Sequence, residues 1–260
     1  VARVTKLDAV TLAGVRIDAI DEPATVALIF DELAAGRGGT VVTLNVHHLF
    51  QTASEPALLG AATRARLAVA DGRPLLWAAR LAGTPLPGHV AGSSLVWSLS
   101  EAAAASGRRV FLLGGPAGAA DAAAAALQAR WPHLVVAGTA APFVDVGDRD
   151  ALDDVARTVA AGRPDIVFSG FGAPKQELIN EHLLTVLPAT WFLGVGGSFS
   201  MAAGHVRRAP LWAQRAGAEW LFRLAQEPRR LARRYLVQDL PFALRLLAGA
   251  ARQRRGNRGD

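Results

Sequence analysis

Pro164-Asp-Ile-Val-Phe-Ser-Gly-Phe-Gly-Ala-Pro-Lys-Gln-Glu-Leu178 decides the fold, because a short apolar run empties there into a glycine turn carrying Lys175, Gln176 and Glu177. Ile166, Val167 and Phe168 have the unbroken apolar character of a strand covered on both faces. Gly170 and Gly172 let the backbone turn sharply or approach a ligand closely, and Pro174 falls where a first helical turn tolerates it. Such strand-to-helix turns hold ligands in open α/β sheets, since free amides at a helix start favour phosphate or carboxylate oxygens. An ordinary tight turn with a solvated Lys-Gln-Glu face is the competing reading of this segment taken alone.

The same pattern recurs on both sides. Val10 to Ile20 reads as a β-hairpin around Ala13-Gly14, followed by a helix from about Pro23 to Ala35. Thr40–Leu44, Leu67–Ala70, Arg109–Leu113, Leu134–Ala137 and Trp191–Val195 are further strands, separated by helical stretches such as Ser93–Ser106 and Arg149–Ala161. Gly138 to Gly147 reads as a loop. Alternating strands and helices from about Gly39 to Gly197 predict a mainly parallel, Rossmann-like α/β sheet with helices on both faces. Its carboxyl-end rim would gather Asn45, Asp71, Gly114, Gly115, the Gly170 to Glu177 turn, Gly196 and Gly197.

The chain of 260 residues is 51% hydrophobic and contains no cysteine, which excludes a disulfide framework and thiolate metal sites. No run of about 18 apolar residues marks a membrane span, and no signal peptide is apparent at the first residues; a cytoplasmic location is expected. The net charge of +6 is uneven. From Val206 to Asp260 there are 13 arginines and no lysine against four acids, so this segment carries +9 and the remainder −3. Residues 1–204 are therefore expected to form the α/β core and 205–260 a basic, amphipathic helical appendage, with Pro210, Pro228 and Pro241 dividing short helices. A polyanionic partner, such as an anionic membrane surface, a diphosphate or nucleic acid, matches that charge, as does a merely solubilising tail.

Several chemistries can be weighed on spacing. Leu113-Gly-Gly-Pro-Ala-Gly118 follows a strand and opens a helix, but it lacks the Gly-x-Gly-x-x-Gly spacing of a dinucleotide fold, and close helix packing also explains it. Asp148-Arg-Asp150 has an acid-x-acid form suited to a divalent metal, yet its place at a helix start fits capping better. His47 and His48 are adjacent, without the i, i+4 partner of a zinc helix. Asp71 follows an apolar strand directly, where a carboxylate can be desolvated enough to act as a general base; an Asp-Gly turn is the plainer reading.

Taken in order, five blocks resemble the bacterial WecG/TagA/CpsF glycosyltransferases, family twenty-six. They are Thr43-Leu-Asn45, Ala70-Asp-Gly72, Val110 to Gly115, Gly170 to Glu177, and Arg208-Ala-Pro-Leu-Trp212 with Glu219 to Arg223. Glu227 to Tyr235 is similar to the family's ending. The resemblance implies inverting transfer of a hexose, of N-acetylmannosamine type, its uronic acid, or glucose, from a UDP-sugar to a polyprenyl-diphosphate-linked saccharide. It implies Asp71 as general base; Thr43, Asn45 and Gln176 at the donor pocket, with Gln176 touching the ligand; and Lys175 with the glycine amides of Gly114, Gly115, Gly172, Gly196 and Gly197 at the diphosphate. It implies no metal and no cofactor, so Arg207 and Arg208 would supply charge to the leaving group. The chain has His89 where the family usually has arginine, and Ser200 where it usually has aspartate; both bear on sugar choice. The expected setting is the inner face of the membrane, docked through the arginine tail with Trp220, Leu221, Phe222 or Leu236 inserted, with homo-oligomers possible and no nucleic acid. A nicotinamide-dependent oxidoreductase, or a non-catalytic module binding membranes or nucleic acid, are the other readings of the residues.

Overall fold

The computed structural model describes residues 7–204, 219–226 and 228–256. A hairpin comes first, β1 (Ala9–Leu12) and β2 (Val15–Asp18), antiparallel and joined at Ala13 (φ 49°) and Gly14 (φ 80°). Two central residues with positive φ match the right-handed twist of the flanking strands. The buried Asp18 carboxylate accepts from the Ala68 amide at 2.9 Å and so fixes the hairpin to the sheet edge.

Six parallel strands form the main sheet: β3 (Gly39–Leu44), β4 (Leu67–Ala70), β5 (Arg109–Gly114), β6 (Val135–Ala140), β7 (Ile166–Gly170) and β8 (Trp191–Gly194). Their order is β4-β3-β8-β7-β5-β6. Side chains alternate across the sheet, which builds a core on each face. Val41, Val69, Leu112, Phe168 and Leu193 pack with α1 (Glu22–Ala34), α5 (Gly92–Ser106) and α6 (Ala119–Arg130). On the opposite face, Phe111, Leu113, Val167 and Phe192 meet α7 (Arg149–Gly162) and α8 (Lys175–Val186). Val42, Leu44, Ala68 and Ala70 meet the hairpin, α2 (Val46–Thr52), α3 (Pro56–Arg64) and α4 (Arg73–Ala82).

The Rossmann-like α/β architecture is thus as the sequence predicts, with two local differences. The sixth strand runs through Gly138 to Ala140, where the sequence reads as loop. Gly138 suits that strand because a Cβ there would lie 2.6 Å from the Phe111 ring. Pro241 does not divide helices either. After the short helices Glu219–Gln226 and Pro228–Ala232, the chain winds as a π-helix over Arg233–Asp239 and continues without a break as the terminal helix Leu240–Gly256. Leu240 N–H donates to the Tyr235 carbonyl, five residues back, so the wider π-turn directly precedes Pro241, which has no N–H with which to continue the ladder. Leu246 and Ala250 of the terminal helix are buried in the core beside α4. Among the described residues, no helix is long and apolar enough to cross a membrane.

Candidate functional site

Every rim residue sits where a parallel strand ends. Leu44 pairs with Ala70 across β3 and β4, so Asn45 and Asp71 leave the sheet side by side. The Asp71 amide donates to the Leu44 carbonyl at 2.6 Å, and Gly72, at φ 98°, makes the turn into α4 that a side chain would strain. Val90 N–H donates to the Ala70 carbonyl at 2.7 Å, which brings the neighbouring half-buried His89 to the same strand end. Gly92 completes the approach: a Cβ there would lie 3.3 Å from the Val195 backbone and 3.5 Å from Thr43 Oγ1.

Thr43 is buried and its hydroxyl donates to the Gly194 carbonyl at 3.3 Å, tying β3 to β8. Asn45 caps α2, its Oδ1 accepting from the His48 amide at 3.1 Å. The His48 ring turns back beneath this segment, with Nδ1 2.9 Å from the Thr43 carbonyl and 3.3 Å from the Asn45 amide. Burial holds His48 down at about 4, against the raising effect of its hydrogen bond to the Thr43 carbonyl, so it is neutral.

Gln176 and Glu177 lie under the middle of the rim, both buried. The Gln176 oxygen accepts from Gly172 N–H and from Gly196 N–H, each at 3.0 Å, so one atom joins the β7 and β8 turns. Its Nε2 donates to Glu177 Oε1 at 2.8 Å. Burial pushes the Glu177 carboxyl up, against the lowering effect of the Gln176 hydrogen bond. The amides of Gly172 and Gly196, expected at a diphosphate, are therefore directed at Gln176, while Gly197 is exposed at the start of α9 (Ser198–Ala202).

Connections leave β5 and β7 in opposite directions, toward β6 and β8, the arrangement that opens a crevice in such sheets. Gly114 (φ 91°) and Gly115 (φ 84°) line it. A Cβ on Gly114 would meet the Phe171 ring at 2.9 Å and one on Gly115 would meet Phe199 at 3.1 Å, so these glycines are required by packing as well as conformation. Lys175 places its ammonium 5.0 Å from the Phe143 ring centre and 5.5 Å from that of Phe171. Phe143 is 94% exposed and borders a cleft of about 280 Å³ lined also by Leu113, Ala140, Pro142, Asp154 and Thr158. Asp148 acts as the cap foreseen for it, accepting from the amides of Asp150 and Ala151.

Adjacent strands are about 4.8 Å apart, so Asp71 on β4 and Gly114 on β5, four strand spacings away, are separated by roughly 19 Å. The rim thus has a carboxylate end, at Asp71, Asn45 and His89, and a glycine-lysine end, at Gly114, Gly172 and Lys175. That length accommodates an extended ligand better than a compact one.

A family model, described as Glycosyl transferase WecG/TagA/CpsF family, matches residues 10–256. The chain belongs to that family. It is a glycosyltransferase of polysaccharide or wall polymer synthesis, taking a sugar donor and a saccharide acceptor, and the oxidoreductase and non-catalytic readings fall away. The glycosyltransferase match extends across the arginine-rich end, whose Leu246 and Ala250 pack in the core beside α4. Arg207, Arg208 and the Arg208 to Trp212 block lie outside the described residues. Sequence reasoning gave no part to His48, Glu177 or Phe143. The Asn45 to His48 spacing of a capping box was the signal for the first, whereas nothing in the local sequence marks Phe143.

Proposed function

We propose that the chain transfers a hexose from a UDP-sugar to a polyprenyl-diphosphate-linked saccharide, inverting the anomeric carbon, with Asp71 as general base. The carrying observation is the half-buried Asp71 at the end of β4, flanked by Asn45 and His89. The acceptor hydroxyl loses its proton to the Asp71 carboxylate as its oxygen attacks the anomeric carbon from the face opposite the UDP. The bond from that carbon to the diphosphate oxygen breaks, and its electron pair leaves with UDP. Arg207 and Arg208 supply positive charge to that leaving group, while Lys175, at the far end of the rim from Asp71, lies out of reach of the bond that breaks there. Thr43 and Asn45 line the sugar end, and Gln176 holds the Gly172 and Gly196 turns that face the donor.

The described appendage supports docking on the inner face of an anionic membrane. Leu236, Val237, Leu240 and Leu244 are 47–66% exposed along the π-helix and the terminal helix, beside the exposed Arg233 and Arg245. The sugar remains a hexose of N-acetylmannosamine type, its uronic acid, or glucose. A panel of UDP-sugars, incubated with a short-chain polyprenyl-diphosphate saccharide and read by mass spectrometry, tests the reading. Product with one donor and free UDP is expected; no product from any donor overturns it.

A further inference from the structure

We propose that His47 and Asp239 form the seat through which the appendage holds the Asn45 end of the rim, making both positioning residues for sugar transfer. The proposal rests on the glycosyltransferase reading above only in naming the reaction that the seat serves.

His47 and His48 are consecutive in the first turn of α2, and successive helical side chains diverge by about 100°. They face opposite partners. His48 turns inward to the Thr43 carbonyl and the Asn45 amide. His47 turns outward, its Nδ1 2.8 Å from Asp239 Oδ1, with the two side chains 18% and 13% exposed. The other Asp239 oxygen accepts from Arg234 Nε at 3.3 Å. One turn further along α2, Phe50 stacks on the His47 ring at 6.2 Å and meets Phe242 edge-on at 5.8 Å. The contact is therefore a charged cluster sheltered by aromatic rings, at the first turn after a rim residue.

Two features of the appendage point to the same role. In an α-helix, residues five apart are rotated about 140° out of alignment, so Arg234 and Asp239 would diverge. The π-helix over Arg233–Asp239 has i to i+5 spacing, which brings them onto one face toward α2. Asp239 is also the one acid between Glu227 and Asp260, in a segment dominated by arginine. A carboxylate there weakens attraction to an anionic surface; its value lies in the contact with the core. The exposed Leu236, Val237 and Leu240 flank it in sequence, so the same short segment presents apolar side chains to solvent while its acid faces α2.

The test uses the full chain with a water-soluble short-chain acceptor and no vesicles, so that membrane affinity plays no part. His47→Gln and Asp239→Asn are each expected to lower kcat/KM about tenfold, and the double variant to lose no more than either single one. Unchanged kcat/KM in the single variants, or losses that multiply in the double variant, overturn the proposal. Amide hydrogen exchange gives a readout independent of catalysis: residues 44–50 should exchange faster in Asp239→Asn while the β5 and β7 amides do not change. Faster exchange there in a protein whose wild type transfers no sugar would keep the seat and remove the function reading. Identical exchange in Asp239→Asn and wild type would remove the seat.

Discussion

Glu177 Oε1 accepts from Gln176 Nε2 at 2.8 Å, and this bond orients the carboxamide so that its oxygen faces the amides of Gly172 and Gly196. A flipped carboxamide would set NH2 against two N–H donors. Gln176→Leu removes the shared acceptor, and we expect a loss of about 2 kcal/mol from the unpaired amides. Urea unfolding measures it; an unchanged midpoint would show that the turns hold without Gln176.

Glu177 also carries a pH signature. Its folded pKa is raised above the ordinary 4.5 by burial, so its stability contribution is complete below 4.5 and declines as pH rises through the folded value. Glu177→Gln keeps an acceptor for Gln176 and loses that decline. The variant's stability relative to wild type should therefore grow as pH rises above 4.5, and parallel curves in urea titrations would contradict this.

His48 has the opposite sense. Held at about 4 in the folded protein, chiefly by burial, it contributes stability that is complete above 6.5 and is lost as pH falls toward 4. His48→Asn should flatten stability over that window, at the cost of the hydrogen bond to Thr43. Melting temperatures at pH 4.5 and 7.5 compare the two proteins.

Asp71→Asn retains size and hydrogen bonding but cannot take a proton. Turnover should fall about 10²- to 10⁴-fold while calorimetric affinity for UDP stays within a factor of about three. Wild-type turnover in this variant would remove Asp71 from the mechanism.

Membrane docking is best tested by substitution, since Leu246 and Ala250 belong to the core and deleting the appendage would uncover α4. Leu236, Val237, Leu240 and Leu244 changed together to Gln should abolish sedimentation with anionic vesicles and leave the melting temperature within a few degrees. Undiminished vesicle binding would place the membrane contact elsewhere.

Much of this architecture is legible in the sequence, because apolar runs such as Ile166–Phe168 and turn residues such as Asp71-Gly72 act locally. The parallel sheet, its rim and the hairpin at Ala13-Gly14 all follow from such signals. What local reading cannot supply is partnership across the chain. Gln176 reads as a polar group at a ligand-facing or solvated turn, and only the arrival of Gly196 from β8 shows its oxygen to be shared between two turns. His47 and Asp239, 192 residues apart, meet only once the terminal helix lies against α4. Gly138 misleads for a related reason: glycine signals a loop, but here it makes room for the Phe111 ring of the next strand.

The last of the described strands, β8, lies in the middle of the sheet, between β3 and β7. During synthesis the ribosome therefore releases β3-β4 and β7-β5-β6 as two pieces, each with an unpaired inner edge, until Trp191–Gly194 emerges to close the gap. Those edges are the surfaces through which nascent chains aggregate. A chain stopped short of Trp191 carries both ends of the rim but lacks the strand that joins them into one sheet. Joining of the two halves is a late event, followed only by docking of the terminal helix against α4, and the interval before it is when a chaperone has most to protect.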